Sequence, residues 1–231
     1  MTFDASAGGK TVMSRTRLCW WISLGLTLAA ASTSLVVYPR LPAELPIHWN
    51  IHGRADGFAG KPWAAFLSPA IMALVVGFFA AIPWLSPRGF SDAGFRTTNL
   101  QMMTLLVGLL AYIHACTLYS GLTGGADVGR PLIAGMFFFF AAIGALMPHV
   151  QRNFYVGIRT PWTLADPRVW VDTHRFGKWC FVVGGAAGFL WTALGGSIAV
   201  ALTAFLTAAL APVLYSFLRY RRMEKEGLLS R

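Results

Sequence analysis

The chain has 231 residues, 56% of them hydrophobic and only 12% charged, against roughly 25% charged residues in soluble domains. With a mean hydropathy of +0.57, this composition excludes an ordinary soluble enzyme or binding domain and points to an integral membrane protein. The net charge of +10 does not read as a nucleic-acid surface, because the Lys and Arg residues are spread over the segments between apolar runs.

No Lys, Arg, Asp or Glu interrupts 18–39, 62–87, 97–125, 131–151 or 179–218, and each run can hold the roughly 20 apolar residues that a bilayer crossing needs. These runs predict an all-α, polytopic protein with six transmembrane helices near 18–38, 64–85, 100–122, 131–148, 179–194 and 198–218. The last two share one apolar stretch, so a tight turn is expected at Gly195-Gly196-Ser197. Fifteen of the 19 Lys and Arg residues fall on the side shared by both termini, and Arg40, Arg54, Lys61 and Arg130 fall on the other. The positive-inside rule then places both termini in the cytoplasm.

The expected organisation is a cytoplasmic tail (1–17), a two-span unit (18–85) with an extracytoplasmic loop (39–63), a four-span unit (100–218) with a cytoplasmic loop (149–178), and a basic cytoplasmic tail (219–231). A cleavable leader at the N-terminus is the rival reading of the first run, but its apolar character continues through Tyr38 to full spanning length. Within the runs, Cys19, Cys116 and Cys180 have neither disulfide nor metal-ligand spacing. Pro69, Pro83 and Pro212 shape helices. Gly184, Gly185 and Gly188 form a small-residue pattern that suits either internal packing or a homodimer. His114 is the ionisable side chain inside the spans, read as bonded to a neighbouring helix rather than as a proton relay.

The outer loop reads YPRLPAELPIHWNIHGRADGFAGKPW. Pro39, Pro42 and Pro46 hold the chain extended, and Gly53, Gly57 and Gly60 punctuate turns. Ile47, Trp49 and Ile51 alternate with His48, Asn50 and His52, which predicts a short strand with the three polar residues on one face. With Asp56 they form a candidate ligand-binding cluster. Two imidazoles and a carboxylate also suit a metal, but the spacing fits no zinc motif, and a hydrogen-bonded cap is the preferred reading, with no metal and no cofactor.

The inner loop opens with NFYVGIRTPWTL. Gly157 permits a turn, Arg159 offers a planar fork of donors, and Thr160-Pro161 forces an extended exit. Arg159 on lipid phosphate and Trp162 in the aromatic belt is the plainer alternative to a specific partner. Asp166-Pro167 is a helix start, with a short helix expected to follow. Its Val169, Trp170 and Phe176 are expected to dip into the interface, with Arg168, Asp172, Arg175 and Lys178 facing water and headgroups.

The stretch NFYVGIRTPWTLADPRVWVDTHRFGKW resembles the signature of the SdpI family, bacterial membrane proteins named for an immunity protein against the sporulation-delaying-protein toxin. The outer LPIHWNIHGRADGFAGK is similar to a separate N-terminal domain, of unassigned function, that often precedes that signature. The resemblance rests on Asn153, Gly157, Arg159, Thr160, Pro161 and Trp162 inside, and on Pro46, His48, Gly53, Asp56, Gly57 and Lys61 outside. It implies an inner-membrane immunity and signal-transduction protein that protects the cell from a membrane-active toxin peptide. It also implies a repressor protein tethered at the inner face, with lipid as the surrounding partner and no direct contact with nucleic acid. The candidate binding residues are therefore His48, Asn50, His52 and Asp56 outside, and the six inner signature residues.

Two other classes fit the residues less well. A small-solute transporter would need charged groups in its spans, and these hold none. A metal-dependent membrane hydrolase on His48, His52 and Asp56 lacks any HExxH or GxSxG arrangement, so the protein is not read as an enzyme.

Overall fold

The structure, a computed structural model, describes residues 5–85, 93–153 and 155–229. Arg88 and Arg231, both among the fifteen counted above for orientation, and Phe154 of the inner signature lie outside the described residues. The helices are α1 (Ala5–Val37), α2 (Lys61–Leu85), α3 (Ala93–Leu122), α4 (Gly129–Leu146), α5 (Pro161–Ala165), α6 (Pro167–Ala193) and α7 (Ile198–Lys225). Of these, α1, α2, α3, α4 and α7 are long and apolar enough to cross a membrane. The protein is thus a mostly helical integral membrane protein, the form in which a chain satisfies its own backbone groups inside lipid. The expected span 179–194 corresponds to the apolar half of α6, which also carries Arg168, Asp172, Arg175 and Lys178 of the inner loop and four glycines.

Between α1 and α2, strands β1 (Glu44–Trp49) and β2 (Ala55–Gly60) pair antiparallel. The chain groups into two compact units, residues 1–49 with 55–128, and residues 50–54 with 129–231.

In the first unit, α1, α2 and α3 pack around Ala30, Met72, Val76, Met103 and Val107. Lipid is as apolar as these side chains, so polar bonds and close packing must hold the helices together. Ser34 of α1 donates to the Ala65 carbonyl of α2 at 2.6 Å. His114 of α3 reaches the Ser34 hydroxyl at 2.9 Å and the Ala30 carbonyl at 3.2 Å through Nε2. The histidine inside the third run is therefore bonded across two helices, as its sequence context suggested. Nearer the opposite end, the hydroxyls of Ser23 and Thr104 lie 3.2 Å apart. Leu45 of β1 is fully buried with Leu41, Ala64, Ala65 and Leu118, which seats the base of the hairpin on α2 and α3.

In the second unit, α6 packs between α4 and α7. A Cβ on Gly185 would lie 2.6 Å from the Ala141 nitrogen, and one on Gly188 2.6 Å from the Phe137 ring. Gly185 and Gly188 thus serve close internal packing against α4, while Gly184 faces Phe205 and Ala208 of α7. Phe140 and Phe205 stack at 4.6 Å, and Phe137 meets Phe205 edge-on at 5.6 Å. The chain reverses at Gly195, Gly196 and Ser197 as expected, with Gly195 at φ 92°. Arg130 of α4 donates to the Thr192 carbonyl at 3.0 Å and the Gly196 carbonyl at 2.8 Å, tying this reversal to α4.

Candidate functional site

The outer hairpin corrects one expectation. His48, Asn50 and His52 do not share a strand face, because β1 stops at Trp49 and Asn50 turns the chain. Its Oδ1 accepts the His52 N–H at 2.9 Å and the Arg54 N–H at 3.2 Å, and Gly53 follows at φ 78°. A short polar side chain that bonds backbone two residues on is a turn former, and this local bond overrides the apolar-polar alternation. His48 instead pairs with the strand opposite, its Nδ1 2.6 Å from Asp56 Oδ1. Both are solvent-facing, with side chains 69% and 42% exposed. His52 stands in the turn, and among the described residues no three His, Cys, Asp or Glu side chains converge as metal ligands. Ile47, Ile51 and Phe58 of the same segment are also exposed. Lys61 lies over the Tyr38 ring at 4.6 Å.

The inner loop is built around Asn153, which is 1% exposed. Its Oδ1 accepts from Tyr155 N–H and Val156 N–H, each at 2.7 Å. Its amide nitrogen donates to the Gln151 carbonyl at 2.7 Å and the Val156 carbonyl at 2.9 Å. That is the full capacity of one amide, so Asn153 organises the loop from inside. Gly157 follows at φ 112°, and a Cβ there would meet His174 Nε2 at 2.5 Å and the Trp170 ring at 3.2 Å.

His174 takes the next bond: its Nε2 accepts the Ile158 N–H at 3.1 Å, while Nδ1 donates to the Trp170 carbonyl at 2.8 Å. An acceptor on one nitrogen and a donor on the other define the neutral tautomer. Burial accordingly pushes the His174 imidazole below its ordinary value, with the bond to Trp170 opposing. The Trp170 and His174 rings stack at 4.2 Å, and the Trp170 indole donates to the Val150 carbonyl at 2.7 Å.

Thr160 is extended, as the following proline dictates, and caps α5. Its hydroxyl accepts from Thr163 N–H while Thr163 accepts from Thr160 N–H, a reciprocal cap with Pro161 at the first helical position. Thr160 also lies 3.1 Å from the Ser216 hydroxyl of α7, and Trp162 meets Phe217 edge-on at 5.0 Å. Asp166 caps α6 through the Arg168 N–H at 2.8 Å and holds the Arg168 guanidinium at 3.0 Å. Arg159 is exposed on the loop surface.

Three expectations for the following segment are corrected. The helix begun at Asp166-Pro167 is not short but runs unbroken to Ala193. Trp170 and Val169 do not dip into the interface; they are 1% and 0% exposed and face the loop and neighbouring helices. Asp172 does not simply face water, but pairs with Arg219 of α7 at 2.8 Å. An amphipathic pattern marks an apolar face without saying whether lipid or protein covers it. Trp170 and His174, missed as site residues, are four apart on one helix, and that spacing was their one available signal.

Two buried-core helical units, one bearing a hairpin and the other an internally capped polar loop, define a multi-pass cell-membrane protein. Residues 149–216 match the SdpI/YfhL protein family, and residues 25–73 match a domain of unknown function (DUF1648). Immunity protein SdpI of Bacillus subtilis (strain 168) is 30% identical over 172 residues, which cover 71% of this chain and 76% of that protein. The chain belongs to the SdpI family, one of immunity proteins rather than of enzymes. No solved structure matches it.

Proposed function

We propose that this protein confers immunity against a membrane-active toxin peptide met at the outer hairpin, and that its inner loop presents a surface to a repressor protein. The observation that carries this reading is the 30% identity to an immunity protein over 76% of that protein's length. Six crossings with both termini cytoplasmic complete it, supported by the apolar half of α6 and by the uneven placement of Lys and Arg.

The geometry divides the candidate residues by role. Outside, Asn50 shapes the turn, whereas His48, Asp56 and His52 are available to a ligand, with Ile47 and Phe58 exposed near the His48–Asp56 pair. Inside, Asn153, Gly157, Thr160 and Pro161 shape the loop's own fold, and Arg159 and the accessible part of Trp162 lie at its surface, where a partner would meet them.

The test is survival of toxin-sensitive bacteria challenged with membrane-active toxin peptides, comparing wild type, Arg159→Ala and His48→Ala at matched membrane levels. Protection by wild type that His48→Ala abolishes assigns the hairpin to recognition. Absence of protection by correctly inserted wild type across the peptides refutes the immunity reading for this member.

A further inference from the structure

Arg159, exposed on the inner loop, stands between two anchored residues. On one side, Thr160 caps α5 and lies 3.1 Å from the Ser216 hydroxyl of α7. On the other, Ile158 is held at three points. Its N–H is bonded to His174 Nε2 at 3.1 Å, and its carbonyl accepts the Thr163 hydroxyl at 2.8 Å. Its side chain packs on α6 at Gly177, where an added Cβ would lie 3.0 Å from Ile158 Cδ1. The first of these holds is the one that a proton breaks.

A backbone N–H can only donate and a backbone carbonyl can only accept. Nδ1 of His174 therefore carries its proton toward the Trp170 carbonyl at 2.8 Å, and Nε2 keeps its lone pair for Ile158. A second proton, on Nε2, sets two donors against each other at a residue that is 1% exposed. The Trp170 ring stacked at 4.2 Å can share a positive charge, but it accepts no N–H bond in the ring plane, and its own N–H is given to the Val150 carbonyl. Carboxylates on α6 are already engaged, Asp166 by Arg168 at 3.0 Å and Asp172 by Arg219 of α7 at 2.8 Å. Arg152 and Arg159 on the loop side, Arg175 and Lys178 on α6 and Arg219 on α7 are cations and oppose a charged ring. The same elements also carry the titratable His149, Tyr155 and Tyr215. A protonated His174 is accommodated when the loop lets go of it and water reaches Nε2.

We propose that His174 is a proton-operated latch, in which protonation of Nε2 releases Ile158 and withdraws the Arg159 surface from its protein partner. The loop holds Arg159 in a fixed geometry at neutral pH and loses that geometry when the aqueous phase on its side acidifies. This regulation rests on the reading of the inner loop as a partner surface, whereas the latch itself rests on the hydrogen bonds of His174. Linkage sets its strength. With the ordinary value of 6.5 for the released imidazole and no charged form in the closed loop, passing from about pH 7.5 to about pH 5.5 multiplies the open-to-closed ratio about tenfold.

The test is hydrogen exchange read by mass spectrometry on the full chain in nanodiscs of one lipid composition. Rates are compared at about pH 7.5 and about pH 5.5 after correction for the intrinsic pH dependence of amide exchange. Amides 155–160 report the loop, and amides 185–193 of α6 serve as the reference. In wild type, opening of the loop should rise about tenfold at the lower pH while the reference stays protected. His174→Gln offers Ile158 a carbonyl acceptor that does not titrate, so exchange of its loop should not respond to pH. His174→Phe keeps a ring beside Trp170 but has no acceptor; its loop should exchange equally at both pH values and faster than wild type at neutral pH. Equal protection of the wild-type loop at the two pH values, a response of the same size in His174→Gln, or loss of protection in the reference together with the loop overturns the latch. Exchange is read without toxin or repressor, so failure of the immunity reading in the survival assay and failure of the latch are separate results.

Discussion

His174 on α6 accepts the backbone N–H of Ile158 at 3.1 Å, and so fastens the inner loop to a helix sixteen residues further along the chain. The bond exists only while Nε2 is unprotonated. Burial holds the imidazole below its ordinary 6.5, so below that value the unfolded chain takes up a proton that the native loop refuses. Stability therefore rises with pH through the window between the depressed native value and 6.5, and is lost as pH falls through it. The thermal midpoint of purified protein should drop between about pH 7.5 and about pH 5.5. In His174→Gln the midpoint should be lower at neutral pH and its dependence on pH shallower; an unchanged slope would remove His174 from the account.

Gly157→Ala should be among the most damaging single changes in the loop. It forces φ 112° on a residue with a Cβ and drives that atom toward His174 Nε2. The expected loss is about 2–4 kcal/mol, read as a lowered unfolding midpoint and as increased proteolysis of the loop in membranes.

Arg130 ties the α6–α7 reversal to α4 through two carbonyls. Arg130→Met should cost about 1.5–3 kcal/mol, the range for bonds to a charged group. Both bonds leave one guanidinium nitrogen, Nη1, so Arg130→Lys should recover most of this, because an ammonium also carries at least two N–H donors on one nitrogen. Thermal unfolding of the three proteins side by side checks the order.

The His48–Asp56 pair separates folding from recognition. Both partners face water, and exposed ion pairs contribute less than about 1 kcal/mol. Asp56→Asn should therefore leave the unfolding midpoint almost unmoved while weakening protection against toxin peptide. Loss of stability and protection together would mark the pair as structural.

Arg159→Lys keeps charge and loses the fork. If Arg159 engages a partner carboxylate in bidentate fashion, the lysine variant should behave like Arg159→Ala in a reporter assay for repressor recruitment to membranes. Full activity of Arg159→Lys would assign the side chain to headgroup phosphate instead.

What the sequence determined by itself was local or cumulative. Runs of apolar residues specify helices because lipid tolerates no unsatisfied backbone, Gly195-Gly196-Ser197 ends one helix and starts another, and Asp166-Pro167 opens α6. The family signature was equally legible, since Asn153, Gly157, Thr160 and Pro161 act on backbone a few residues away. Tertiary structure alone decided that Trp170 turns inward to the Val150 carbonyl, that His174 closes the loop, and that Asp172 meets Arg219. It also decided that Asn50 bends the chain and leaves His48 to Asp56 on the opposite strand. The Asn50 turn is a local side-chain bond that the alternation hides; the three contacts of α6 share another reason. Periodicity reports which face of an element is apolar or polar, but the partner that covers that face comes from a distant part of the chain, and only packing brings the two together.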